Sequence, residues 1–159
     1  MPELLLLTDG SVNTKSNIGY GAYLAVSDSR LSLDELKTQV KVRRFEQTSS
    51  TKLELQTLLW ALSDIQTSGS KVIVYTDSQN IIGLPQRRER LEQNDYRSNR
   101  NRRLNNFELY QKFYQLIDQL DCQFIKVRGH QVTKQKNDID QLFTLVDRAS
   151  RKALREDIR

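Results

Sequence analysis

The sequence predicts an α/β fold: a five-stranded mixed sheet, three strands antiparallel and then parallel ones, flanked by helices. Three observations lead there. The run Leu4-Leu5-Leu6-Leu7, closed by Asp9-Gly10, reads as a central strand covered on both faces. Two more strand-like segments follow it over short connections, which makes an antiparallel meander. After them the chain alternates helix-period and strand-like segments, the pattern of parallel pairing against flanking helices.

Each element has its own justification. Residues 3–8 are the leucine strand, and residues 13–17 form a polar loop. The second strand covers 19–27, Gly-Tyr-Gly-Ala-Tyr-Leu-Ala-Val-Ser. Residues 39–47 alternate as a third, with Val40, Val42 and Phe45 turned inward. In residues 51–66 the apolar side chains Leu55, Leu58, Leu62 and Ile65 step by three and four, one stripe of a helix. Thr51 and Glu54 have capping-box spacing, and Ser68-Gly69 ends the helix. Residues 71–76 are a fourth strand, parallel to the first. A short helix from Ser78 is expected to stop near Gly83-Leu84-Pro85.

Residues 86–103 differ in character. Seven arginines (87, 88, 90, 97, 100, 102 and 103) face Glu89, Glu92 and Asp95, a local charge of +4. Leu91 and Tyr96 are the only large apolar residues in the stretch, so it reads as a basic insert outside the core. Phe107, Tyr110, Phe113, Tyr114 and Ile117 mark the next helix, 122–127 a fifth strand, and 128–131 a loop. Residues 134–137 are polar and read as mobile, and Ile139, Leu142, Val146, Ala149 and Ala153 stripe a final helix.

The bulk numbers set bounds. At 159 residues one domain spanning 1–159 is expected, large enough for a core without staples. Net charge is +5 and the pI about 9.4, which permits a phosphate-rich partner. Cys122 is the only cysteine, which excludes an internal disulfide and a thiolate metal centre, and reads as a small core residue. No leader and no apolar run near 18 residues is present, so a soluble, cytoplasmic, monomeric protein is expected, without a membrane partner.

Chemistry gathers at carboxylates. Asp9 follows the first strand, Glu54 opens a helix, Asp77 follows the fourth strand and Asp147 lies in the last helix. Singly each has a plain structural role: Asp9-Gly10 a hairpin turn, Glu54 a capping box, Asp77 an N-cap, Asp147 an i,i+4 partner of Arg151. Jointly they place acids at the carboxyl ends of central strands, where sites in open α/β sheets gather. Converging carboxylates hold hard divalent cations, and two cations about 4 Å apart can drive in-line attack on a phosphodiester. His130 is the sole histidine, beside Gly129 in a basic loop, and is placed to move a proton near neutral pH.

Thr8-Asp9-Gly10-Ser11, Gly19-Tyr20-Gly21-Ala22, Lys52-Leu53-Glu54-Leu55, Thr76-Asp77-Ser78-Gln79 and Val127-Arg128-Gly129-His130 together resemble the ribonuclease H type 1 family in order and spacing, from about residue 3 to 155. The resemblance implies a ribonuclease H-like fold and hydrolysis of the RNA strand of RNA–DNA hybrids. It implies two Mg²⁺ ions, with Mn²⁺ as a substitute, held by Asp9, Glu54, Asp77 and Asp147, with His130 assisting proton transfer or product release. Products would carry 5′-phosphate and 3′-hydroxyl ends.

Three departures from the family pattern stand out. Ser50 and Thr51 replace two asparagines that contact the substrate backbone. The stretch from His130 to Asp147 is longer than usual, so Asp140 competes with Asp147. The two are seven residues apart, about 10 Å by helix rise, so one small site takes only one of them. Val146-Asp147-Arg148-Ala149-Ser150-Arg151 resembles the family's final motif better. The basic insert lacks the tryptophans of the family's protrusion. Its Arg87, Arg88, Arg90, Arg97 and Arg100 are candidates to grip a duplex by charge, with Ser11, Asn13, Ser50 and Thr51 on the sugar–phosphate backbone. Two alternatives stay open: a catalytically weak or inactive binding module of the same fold, and a related nuclease such as a junction resolvase.

Overall fold

A computed structural model describes residues 3–27, 31–65, 70–127 and 138–157. The expected helix stop at Ser68-Gly69, the loop bearing His130 and the polar stretch 134–137 lie outside those residues.

The first strand, β1 (Glu3–Asn13), outruns its leucines by six residues. It pairs antiparallel with β2 (Ile18–Val26), whose other edge carries β3 (Lys41–Phe45). On its opposite side β1 pairs in parallel with β4 (Lys71–Thr76), and β4 with β5 (Asp121–Lys126). The order is β3-β2-β1-β4-β5, the expected mixed sheet with the leucine strand at its centre. Asp9 and Gly10 make no turn: they sit inside β1, opposite Ala22 and Gly21 of β2.

A five-residue helix, α1 (Leu33–Lys37), precedes β3 and went unseen in the sequence because it offers a single buried side chain, Leu36. Ser32 caps it, its hydroxyl accepting from Glu35 N at 3.1 Å. The third strand is shorter than the alternation suggested, and Val42 is 41% exposed rather than inward. It lies on an edge strand, where only one neighbour restricts access.

Helix α2 (Ser50–Ile65) covers one sheet face, joined there by α3 (Gln79–Gln93) and α4 (Phe107–Gln119). Their core holds Leu6, Leu55, Leu58, Leu62, Val72, Val74, Ile81, Leu84 and Phe113. Helix α5 (Asp138–Asp157) covers the other face, where Leu7, Ala22, Leu24, Phe143 and Val146 pack with Leu36. Positions of β1 alternate between the two: Leu6, Thr8 and Gly10 face α2, and Leu7, Asp9 and Ser11 face α5.

Helix α3 corrects an expectation. It runs through Pro85 for two further turns and absorbs the first half of the basic insert. Proline removes one helix hydrogen bond, but packing on both sides of it outweighs that loss. Ile81 and Leu84 are buried, Tyr114 donates its hydroxyl to Leu84 O at 2.6 Å, and Arg87 Nη2 donates to Asn80 O at 2.9 Å. The rest of the insert folds back as a tight loop, with Ser98 N bonded to Arg102 O and Leu104 N to Tyr96 O. Nor is the insert wholly outside the core: Tyr96 is 7% exposed and packs into the α2-side cluster, with Leu91 half-buried beside it.

Candidate active site

Register brings the first two acids together. The β1–β4 pairing ends at Leu7 opposite Tyr75, so Asp9 and Asp77 each lie two residues past the last matched pair. They stand where the parallel strands part and β1 continues against β2 alone. Thr8, Asp9, Glu54, Thr57, Thr76, Asp77 and Ile81 line one cleft there.

Glu54 reaches the cleft because α2 lies very close to the sheet. An added Cβ at Gly21 would stand 2.1 Å from Thr57 Oγ1, and one at Gly10 or Gly19 would meet the Leu53 side chain at 2.9 or 2.8 Å. These three glycines form a side-chain-free platform, and Leu53 and Thr57, which touch it, bracket Glu54 on the helix. The Thr51–Glu54 capping box does not form. Ser49 caps α2 instead, its hydroxyl accepting from Lys52 N at 3.3 Å, while the Glu54 carboxylate accepts from the hydroxyl of Ser78. Ser78 is also the N-cap of α3, accepting from Ile81 N at 3.2 Å, so Asp77 is released from the capping role. Asp77 is exposed at the mouth of the cleft.

Asp147 arrives from the opposite sheet face on α5. It accepts from Arg151 Nε at 2.9 Å, the i,i+4 pair its spacing allows, and also lies within hydrogen-bonding reach of Asp9. The competing Asp140 lies two turns earlier in α5 and is half-buried, its carbonyl accepting from the Thr144 hydroxyl at 2.9 Å.

Electrostatics record the crowding. Burial, then the Asp77 charge, then the contact with Asp147 push the Asp9 carboxyl up to about 8, against a small opposing bond from Gly10 N–H. Burial and the Asp77 charge also raise Glu54, while the Ser78 hydroxyl opposes that shift. The acids meet as pairs: Asp9 with Asp77, Asp9 with Asp147, and Glu54 with Asp77. No group of three is drawn to metal-holding separation among the described residues. An all-oxygen donor set whose members repel one another suits a hard divalent cation, which would offset that repulsion.

The candidate nucleic-acid residues divide. Ser11 Oγ lies 3.2 Å from Ser150 Oγ. Asn13 Oδ1 accepts from Lys15 N at 2.9 Å, turning the β1–β2 loop. Ser50 and Thr51 are exposed at the start of α2. Arg87 donates to Asn80 Oδ1 at 2.6 Å. Arg88 grips Asp118 through two bonds of 2.6 and 2.8 Å and ties α3 to α4, and Arg97 donates to Asn101 O. Arg90, Arg100 and Arg102 are exposed and make no ion pair among the described residues. Sequence reasoning missed Ser78, which bonds the Glu54 carboxylate, and Ser150, which bonds the Asp147 carbonyl. The cap spacing of Ser78 before α3 was a visible signal, whereas a serine within a helix stripe gave none. Cys122 is half-buried against the α2-side core, and burial raises its thiol to about 11, well out of reactive range.

The chain matches the family model described as RNase H over residues 1–150. It is 28% identical over 146 residues to a Clostridium botulinum protein named Ribonuclease H, covering 89% of this chain and 93% of that one. Its fold is similar to the solution structure of the PFV RNase H domain, with a TM-score of 0.74, 17% identity and 95% and 93% of the two chains covered. It is also similar to the foamy viral protease-reverse transcriptase solved in complex with RNA/DNA hybrid, with a TM-score of 0.75 and 11% identity. That match takes in 95% of this chain and only 20% of the viral one.

Proposed function

The chain belongs to the RNase H family, and from that premise we propose that it is an endonuclease hydrolysing the RNA strand of RNA–DNA hybrids. The observation that carries the reading is the approach of Asp147 to Asp9, which shares one cleft with Glu54 and Asp77 and feels the Asp77 charge.

Asp9, Glu54, Asp77 and Asp147 would hold two Mg²⁺ ions, or Mn²⁺ in their place. When bound, such a pair supplies an activated water and charge stabilisation at the leaving 3′ oxygen, giving 5′-phosphate and 3′-hydroxyl ends. The protein's own residues do the rest. The glycine platform sets the height of Glu54, the Ser78 hydroxyl orients its carboxylate, and the strand register aims Asp9 and Asp77 at the same point. Exposed Ser50 and Thr51 at the start of α2 are placed to donate to the sugar–phosphate backbone. Arg90 and Arg100 would meet phosphates by charge, sequence-independently. His130 is assigned to proton transfer or product release.

No helix of the described residues is long and apolar enough to cross a membrane. The test is cleavage of an end-labelled hybrid beside duplex RNA, duplex DNA and a branched DNA. Cutting confined to the RNA strand of the hybrid, and requiring divalent metal, is the expected result. Metal binding without cleavage of any of them would make the chain a binding module, and preference for the branched DNA would make it a resolvase.

A further inference from the structure

Helix α5 crosses the sheet in the same direction as β1, and the two elements meet as a ladder. Leu7 shares a core with Val146, Asp9 meets Asp147, and Ser11 meets Ser150. From the acids to the serines the strand advances two residues, about 6.7 Å, and the helix three, about 4.5 Å, so both elements run the same way past the site. The serine pair is therefore the rung directly beyond the two acids.

Ser150 is fully buried, and its single hydroxyl proton goes to Asp147 O at 3.0 Å. With that proton spent, the hydroxyl of Ser11 must be the donor across the 3.2 Å contact. A relay thus runs from the central strand through Ser150 into the backbone of Asp147. Sliding α5 by one turn would leave a buried hydroxyl without its cross-element partner, so the rung penalises any other register. Farther along, Asp157 accepts from Tyr20 and from Arg44 at 2.9 and 2.8 Å, but that fastening is exposed and distant from the acids.

We propose that Ser150, hydrogen-bonded to Ser11, is a positioning residue that fixes the register of α5 on β1 and so holds the Asp147 carboxylate at the metal site opposite Asp9. The role rests on the four acids being that site. Neither serine is a ligand, and both act through the helix that carries Asp147.

The test is Mn²⁺ titration of the full chain by calorimetry, on the wild type, Asp9→Asn, Ser150→Ala, Ser11→Ala and the double serine variant. Ser150→Ala is expected to weaken Mn²⁺ binding about tenfold, the scale for losing a support behind a ligand. Its metal-free melting temperature should stay within about 4 °C of wild type, as loss of one weak hydrogen bond implies. The Mg²⁺ concentration for half-maximal cleavage should rise by the same factor, with KM for the hybrid unchanged. Ser11→Ala, at a less buried position, checks the same rung should Ser150→Ala fold poorly, and the double variant should bind no more weakly than the worse single one. Wild-type affinity in both single variants would overturn the positioning role while leaving the metal site intact. A wild type that takes up no Mn²⁺, or an Asp9→Asn variant that binds as wild type does, would overturn the metal reading itself and the role with it.

Discussion

Asp9 is buried, touches Asp147 and feels the charge of Asp77, and its behaviour follows from that. Its folded-state pKa is raised from 3.8 to about 8, so between those values the folded protein holds a proton that the unfolded chain releases. In EDTA its contribution is therefore a penalty that grows as pH rises through that window and is complete above it. Asp9→Asn removes the penalty: denaturant titration at pH 8 should show a gain of up to about 5 kcal/mol that vanishes near pH 4. The same variant should lose hybrid cleavage while keeping hybrid binding, as a gel-shift assay would show. Gly21→Ala tests the platform. Its Cβ would collide with Thr57 Oγ1, and overpacking at a helix–sheet contact costs about 2–3 kcal/mol, with kcat falling as Glu54 is lifted. At this scale the sequence was informative wherever a residue's neighbours along the chain announced its place. Asp9 and Asp77 end apolar runs, and Glu54 opens a striped helix. Ser150 could not be read because a buried helical serine differs from a surface one only through a strand 139 residues away.

Elements were legible where their periodicity was long. The leucine strand, the Leu55–Leu58–Leu62 stripe and the final helix all form as their patterns require. Proline at position 85 misled because the rule it obeys is local, while the contacts that carry α3 past it come from Tyr114 and the core. The insert was misjudged for a similar reason: one buried tyrosine anchors an otherwise basic loop. That anchoring separates its arginines into two classes. Arg88, bonded to Asp118 and Glu92, braces α3 against α4, whereas Arg90 and Arg100 project into solvent. Arg90→Ala and Arg100→Ala should each reduce the slope of log binding constant against log salt by about one, measured by fluorescence anisotropy on a labelled hybrid. Arg88→Ala should leave that slope nearly unchanged and lower the melting temperature instead.

For the whole molecule, the proposed function sets metal and proton in competition for one acidic cluster inside a chain of net charge +5. Mg²⁺ binding there would require proton release, and its stabilisation should rise with pH. Millimolar Mg²⁺ is expected to raise the melting temperature by several degrees at pH 8 and hardly at all at pH 5, a scanning-calorimetry comparison in which equal shifts would refute the coupling. The sheet order was readable from the alternation of patterns, whereas Asp147 joined the expected set of acids only through the family resemblance, because its approach depends on α5 returning to β1. That return has a consequence for the ribosome. Polypeptide still lacking residues from Asp138 onward has three of the four acids and no Asp147, so on the proposed site assignment the nuclease is not armed until α5 has been translated. A stalled nascent chain ending before that helix should leave a hybrid uncut, and release of the finished chain should restore cutting.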